Sequence, residues 1–206
     1  MLHHEISGNG KKPLVLLHGF MENTTIWNEM EAHLSKDFTL IKIDLPGHGK
    51  SKVYQEIHTV ELMAEKVKEV IDALKLEKIN LLGHSLGGYV SLAFAEKFPE
   101  ILESMTLFFS TTVADDEEKK AIRKRSIAVI DENFETFVKT SIPNLFSNNE
   151  KDILEGKIEL AKNIAKSTNK EGVKAAQLGM AERPDRTEIL ENLDAKILII
   201  AGKYDN

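Results

Sequence analysis

Cysteine is absent from the 206 residues, which excludes disulfide staples, a thiol nucleophile and every metal or iron–sulfur site that needs a thiolate. Any nucleophile must be oxygen or nitrogen. An excess of positive charge is lacking too: 27 Lys and Arg stand against 33 Asp and Glu, a formal net charge of -6. That balance leaves no basic footprint for nucleic acid or for an anionic membrane surface. No uninterrupted apolar run approaches the roughly 18 residues of a membrane span, and the first residues hold no basic stretch followed by an apolar one. The expectation is a cytoplasmic protein with neither nucleic acid nor membrane as partner. A His-Glu-x-x-His pattern is missing, so helical zinc hydrolysis has no support, and neither a metal nor an organic cofactor is implied. Gly49-Lys50-Ser51 ends like a phosphate-binding loop, but Asp44 occupies the position where that loop needs glycine. A dinucleotide fingerprint at Gly8-Asn9-Gly10 fails in the same way at Pro13.

What is present is alternation. Short apolar, β-rich runs recur at residues 14–17, 38–43, 79–82, 105–109 and 197–200, several of them apolar on successive residues, as in strands buried on both faces. Between them, Val60, Met63, Ala64, Val67, Val70, Ile71 and Leu74 repeat at helical spacing, with Glu61, Glu65, Lys68, Glu69 and Asp72 on the other side. Residues 86–97 predict a second helix, apolar nearly all round and stopped before Pro99. Strand, helix, strand, helix predicts an α/β fold with a mostly parallel sheet flanked by helices. From about Thr111 to Leu190 the strand signal disappears and the pattern turns helical and charge-rich. The chain therefore divides into a discontinuous core, 1–110 and 191–206, and an inserted helical cap, 111–190. At the start of the cap, acids at residues 115–118 precede bases at 119–125, predicting a helix on a solvated face with Asp115/Lys119 and Asp116/Lys120 paired one turn apart.

The sharpest chemical signal is Gly83-His84-Ser85-Leu86-Gly87, placed directly after an apolar strand and at the start of the buried helix. A tight turn there pushes the serine over the end of the sheet, and the flanking glycines let strand and helix pack closely. The first free amides of the helix then face the reacting carbon, with the Leu86 N–H placed to bind a developing oxyanion. Ser85 is the candidate nucleophile. The plain alternative is a glycine-rich helix start with a capping serine. His18-Gly19-Phe20-Met21, after the first long strand, is the natural place for the second oxyanion donor.

Together with Asp44-Leu45-Pro46-Gly47-His48-Gly49 after the next strand and Gly202-Lys203-Tyr204-Asp205 after the last, these motifs stand in the order of the α/β-hydrolase family, which the whole chain resembles. The resemblance implies Ser85 as nucleophile, Asp205 as the triad acid, and the backbone N–H groups of Phe20 and Leu86 as the oxyanion hole. His18, Gly19, Gly83, His84 and Gly87 are implied as supporting motif residues, and Asp44, Gly47 and Gly49 as a structural turn. A serine at position 85 points away from the dehalogenase branch, which places an aspartate there.

The family's base, a histidine after the last strand, has no counterpart: all seven histidines precede Ser85. Side chains of neighbours on a sharp turn diverge, so His84 is not expected to reach Oγ. The expectation is a C-terminally incomplete hydrolase whose final strand and helix are missing, inactive as this chain, with residues 197–200 left as an uncovered apolar edge. Two functions follow: a serine hydrolase of the carboxylesterase-like or carbon–carbon-bond-cleaving kind acting on a small carbonyl substrate held between core and cap, or a non-catalytic member of the same fold that binds a ligand or partner. Met21, Phe134, Phe137, Leu145 and Phe146 are candidates to line an apolar pocket, and homodimerisation through the cap is left open.

Overall fold

A computed structural model describes residues 1–203. Six strands form one sheet: β1 (His4–Ser7), β2 (Lys12–Leu17), β3 (Phe38–Ile43), β4 (Ile79–His84), β5 (Leu102–Phe108) and β6 (Lys196–Ile200), in the spatial order β1-β3-β2-β4-β5-β6. All neighbours are parallel except β1 and β3, which pair antiparallel from His4 opposite Ile43 to Ser7 opposite Leu40. The fold is a mostly parallel sheet flanked by helices, as the alternation of runs predicts.

Side chains alternate across a strand, and β2 shows what that does here. Val15 and Leu17 enter one core with Met63, Val67, Ile71, Val90 and Phe94 from α2 (Val60–Ala73) and α3 (Leu86–Lys97). Leu14 and Leu16 enter the opposite one with Trp27 and with Met30 and Leu34 of α1 (Asn28–Leu34). Helix α2 starts where Thr59 accepts from the Leu62 N–H, and its buried stripe is the one the spacing predicts. Each large aliphatic side chain in these cores contributes about 1.5–3 kcal/mol on burial.

Between β5 and β6 lie α4 (Glu117–Ser141), α5 (Glu155–Ser167), α6 (Lys170–Glu182) and α7 (Thr187–Asn192). Helix α4 breaks at Asn133 (φ -154, ψ 88), whose side chain accepts from the Thr136 N–H and so starts the second half afresh. Among the described residues no helix is long and apolar enough to cross a membrane.

Three expectations need correction. Strand β1 has no predicted counterpart; it is four mixed residues paired antiparallel to β3, with Glu5 also pairing with Lys42 at 3.2 Å. Strand β6 is not among the strands buried on both faces: it lies at the edge of the described sheet with Leu198 and Ile199 more than half exposed, as the other expectation, an uncovered apolar edge at 197–200, has it. The helix start at 115–125 is only partly a solvated face. Asp115 is 6% exposed and pairs with Arg123 Nε at 2.5 Å and Arg183 Nη2 at 2.9 Å, not with Lys119. Asp116 caps α4 through the Lys119 N–H, and Lys120 pairs with Glu117. Two arginines from separate segments hold Asp115 where burial alone would drive its carboxyl up, and the net result is a lowered pKa.

Candidate active site

Ser85 is the single residue between the end of β4 and the start of α3, and its backbone is left-handed at φ 48, ψ -111. For a residue with a Cβ this conformation costs about 1–3 kcal/mol and persists only where its surroundings enforce it. They do so here. The Ser85 N–H donates to the Phe108 carbonyl at 3.0 Å, and its own carbonyl accepts from Gly88 N–H and Ser110 Oγ, both at 2.9 Å. Close packing fixes the flanks: a methyl group on Gly83 would sit 2.2 Å from the Gly87 carbonyl oxygen, and one on Gly87 2.3 Å from that of Leu17. Ser85 Oγ makes no hydrogen bond among the described residues.

The loop after β2 turns back tightly. Glu22 N–H donates to the Gly19 carbonyl at 3.3 Å, and Met21 takes up a left-handed φ of 58. His18 is wholly buried beneath it. Its Nε2 accepts from the Leu45 N–H at 2.9 Å, so in the neutral ring the proton sits on Nδ1, which donates to the Gly19 carbonyl at 2.7 Å. Burial holds its pKa below the ordinary value, with the Gly19 bond opposing. A buried neutral imidazole with both nitrogens engaged is a brace, as the resemblance implies. No backbone carbonyl among the described residues accepts from the Phe20 or Leu86 N–H.

The turn after β3 is braced by Asp44, which is 1% exposed. Its carboxylate accepts from Thr24 N–H at 2.8 Å and Lys50 N–H at 2.9 Å and lies 2.8 Å from His3 Nδ1. His48, in the same turn, is buried against the rings of His18 and Phe20 and is pushed down to about 3, first by burial and then by His18. His58 is buried and accepts from the Tyr54 N–H. The ring nitrogens of His18 and His58 are taken up by backbone groups, while His48, whose Nδ1 meets the Pro46 carbonyl, is buried with no partner on Nε2 among the described residues.

His84 differs: its side chain is about a quarter exposed, and Nδ1 lies 2.8 Å from Glu22 Oε2, while the ring packs on Phe108 and Phe109. It makes no hydrogen bond to Ser85 Oγ, in line with the divergence expected of neighbours. Glu22 has no place in the motifs quoted above, although its position four residues after His18 was there to be read.

The structure thus brings Ser85, Leu86, Phe20, His18, Gly19, Gly83, His84 and Gly87 together at the carboxyl ends of β2 and β4. Asp205 lies outside the described residues. Met21, Phe134, Phe137 and Phe146 do share one apolar cluster, with Ile130 and Val173 at its centre, but Leu145 points to solvent at 73% exposure. Leu145 follows Pro143 in a 3₁₀ turn that rotates it off the apolar side. A cavity of about 530 Å³ opens elsewhere, between Tyr54, Glu56, Glu171 and Lys174, and Ser85 does not line it. Among the described residues no three His, Asp or Glu side chains converge as a metal-binding set.

The family model described as alpha/beta hydrolase fold matches residues 12–206. A thermophilic esterase from Thermogutta terrifontis, solved with malate bound, is 35% identical with a TM-score of 0.93, covering 98% of this chain and 75% of that one. A putative 2-succinyl-6-hydroxy-2,4-cyclohexadiene-1-carboxylate synthase of Bacillus subtilis is 29% identical over 96% of this chain and 75% of its own length. An uncharacterised protein of Mycobacterium tuberculosis is 35% identical over 111 residues, 54% of this chain and 32% of that protein, so the chain spans about a third of that relative's length.

Proposed function

The chain belongs to the α/β-hydrolase fold family, and on that premise we propose that it is the core of a serine hydrolase that cleaves a small carboxylic ester through Ser85. The observation that carries the reading is the left-handed backbone of Ser85, held by Phe108, Gly88 and Ser110 with its hydroxyl left without a partner among the described residues. Strain kept at one polar side chain on the rim of a sheet is what a nucleophile needs and a helix cap does not.

In this mechanism Ser85 Oγ attacks the ester carbonyl as a base takes its proton, and the Phe20 and Leu86 N–H groups stabilise the oxyanion. Asp205 orients the base, an imidazole that none of the seven histidines of this chain supplies, and stabilises it when charged. Collapse of the tetrahedral intermediate expels the alcohol, and water then repeats the sequence to release the acid. Residues 111–190 act as a cap over the core of 1–110 and 191–206, with Met21, Phe134 and Phe137 on the apolar side of the substrate.

The full-length polypeptide carrying this sequence is expected to hydrolyse a short-chain p-nitrophenyl ester, with Ser85→Ala lowering kcat by roughly 10⁴- to 10⁶-fold. The 206-residue chain alone is expected to be nearly inert. An inactive full-length protein that still binds small esters would instead favour a ligand-binding member of the fold, the reading to which the engaged histidines 18 and 58 lend weight.

A further inference from the structure

Glu22 has no part in the mechanism above, yet its carboxylate is where the two loops carrying the N–H donors meet. One oxygen, Oε2, accepts from the Gly19 N–H at 2.6 Å and lies 2.8 Å from His84 Nδ1. The first partner belongs to the turn that leads into Phe20. The second is the residue before Ser85.

The Gly19–Phe20 peptide is held from one side only. Its carbonyl receives His18 Nδ1 at 2.7 Å and the Glu22 N–H at 3.3 Å. A peptide is planar and trans, so fixing that carbonyl sends the Phe20 N–H in the opposite direction. The Glu22 carboxylate then secures the preceding peptide through the Gly19 N–H and ties the whole turn to β4. Space is tight at this junction: a methyl group on Gly19 would lie 2.7 Å from Glu22 Oε2 and 2.8 Å from His84 Nδ1. Burial opposes its ionisation most strongly, but the hydrogen bond and charge of His84, the charge of His18 and the Gly19 N–H together hold the Glu22 carboxyl below its ordinary range. Both side chains remain about a quarter exposed. A pair so placed adds little to stability, as partly solvated ion pairs do.

We propose that Glu22 is a positioning residue for ester hydrolysis: through Gly19 and His84 it holds the Phe20 and Leu86 N–H groups at the separation a tetrahedral oxyanion requires. The inference rests on Ser85 being the nucleophile. Replacing one donor's alignment is worth up to the loss of a donor, about 10²- to 10³-fold in kcat.

The test compares an ester with its thionoester in the full-length polypeptide, because a C=S sulfur accepts hydrogen bonds poorly and so reports on the N–H donors alone. Glu22→Ala and Glu22→Asp, the latter one methylene too short for both partners, are expected to lower kcat on the oxygen ester about 10- to 100-fold with KM little changed. Their oxygen-to-sulfur rate ratio should fall in parallel. Glu22→Gln keeps one side-chain oxygen that can accept from both the Gly19 N–H and His84 Nδ1–H, and should restore both kcat and ratio. A folded Glu22→Asp with the wild-type ratio overturns the proposal, whatever its melting temperature. If Ser85→Ala is inert while the Glu22 variants keep that ratio, only the positioning role fails. If Ser85→Ala matches wild type, the nucleophile reading fails and takes this inference with it.

Discussion

Gly172 of α6 and Gly47 of the turn after β3 meet backbone to backbone: a methyl group on Gly172 would lie 2.2 Å from the Gly47 carbonyl oxygen, and one on Gly47 2.5 Å from the Gly172 Cα. The inserted helices therefore do not float over the sheet. Helix α6 is seated on the same turn that Asp44 braces, and its Ala176 and Met180 join the main core.

Two effects compete in Gly172→Ala. Helix propensity alone would stabilise by about 1 kcal/mol, whereas a clash with backbone that cannot rotate away costs about 1–3 kcal/mol or more. The contact distance decides for the clash. Urea unfolding should show Gly172→Ala less stable than wild type; a gain in stability would mean that α6 is not seated here.

Asp115 is buried between Arg123 and Arg183, and Arg183 also stacks on Tyr89 with its guanidinium 4.0 Å from the ring centre. Removing the carboxylate in Asp115→Ala leaves a buried guanidinium uncompensated, which costs about 3–5 kcal/mol. Double replacement with Arg183→Met should cost less than the two single changes added together. Strict additivity would show the pair to be uncoupled.

Acid should destabilise the protein, with a sign set by the buried histidines. His48 falls from an ordinary 6.5 to about 3, mainly by burial, and His18 is lowered by the same cause. A group harder to protonate when folded gives stability that is complete above its unfolded pKa. That stability is then lost as pH falls from about 6.5 towards the folded value, at up to about 1.4 kcal/mol per pH unit for each histidine. Glu22 and Asp115, both lowered, add to the loss at the acid end of that range. Denaturation midpoints at pH 7.5 and 5 should differ less in His48→Asn than in wild type.

The strained φ of Ser85 makes its own prediction. Glycine adopts φ 48 without steric cost, so Ser85→Gly should remove strain and raise stability by roughly 1 kcal/mol after its entropic cost in the unfolded chain. Ser85→Ala, which keeps the Cβ, should not. Equal melting temperatures for the two variants would show that the turn is unstrained.

The sequence makes the sheet legible wherever burial forces a periodic signal. Strands β2 to β5 and helices α2 and α3 bury apolar side chains at fixed spacing, and residues 86–97 and 38–43 match their elements end to end. Strand β1 escapes because an antiparallel edge of four residues, none of them buried, joined to β3 by peptide groups and by Glu5 to Lys42, leaves no apolar period to read. Ser85 is legible because the turn demands glycines at fixed offsets. The partners of Asp115 are not: Arg123 is eight residues away but Arg183 is contributed from a distant segment, and neither choice follows from local spacing. Glu22 leaves a weak mark, since a carboxylate four residues beyond His18 in a tight turn lies beside the turn's own N–H groups, as its bond from Gly19 shows. The Gly47–Gly172 contact could not be foreseen, because two glycines far apart in sequence carry no signal that they meet.

Parallel pairing of β2 to β6 gathers every loop discussed above, those after Leu17, Ile43, His84 and Phe108, on one rim of the sheet. The opposite rim carries only short returns, among them the exposed turn at Lys75, Glu77 and Lys78. An anchoring tag spliced into that turn would orient the molecule on a solid support with its reactive end facing the bulk liquid.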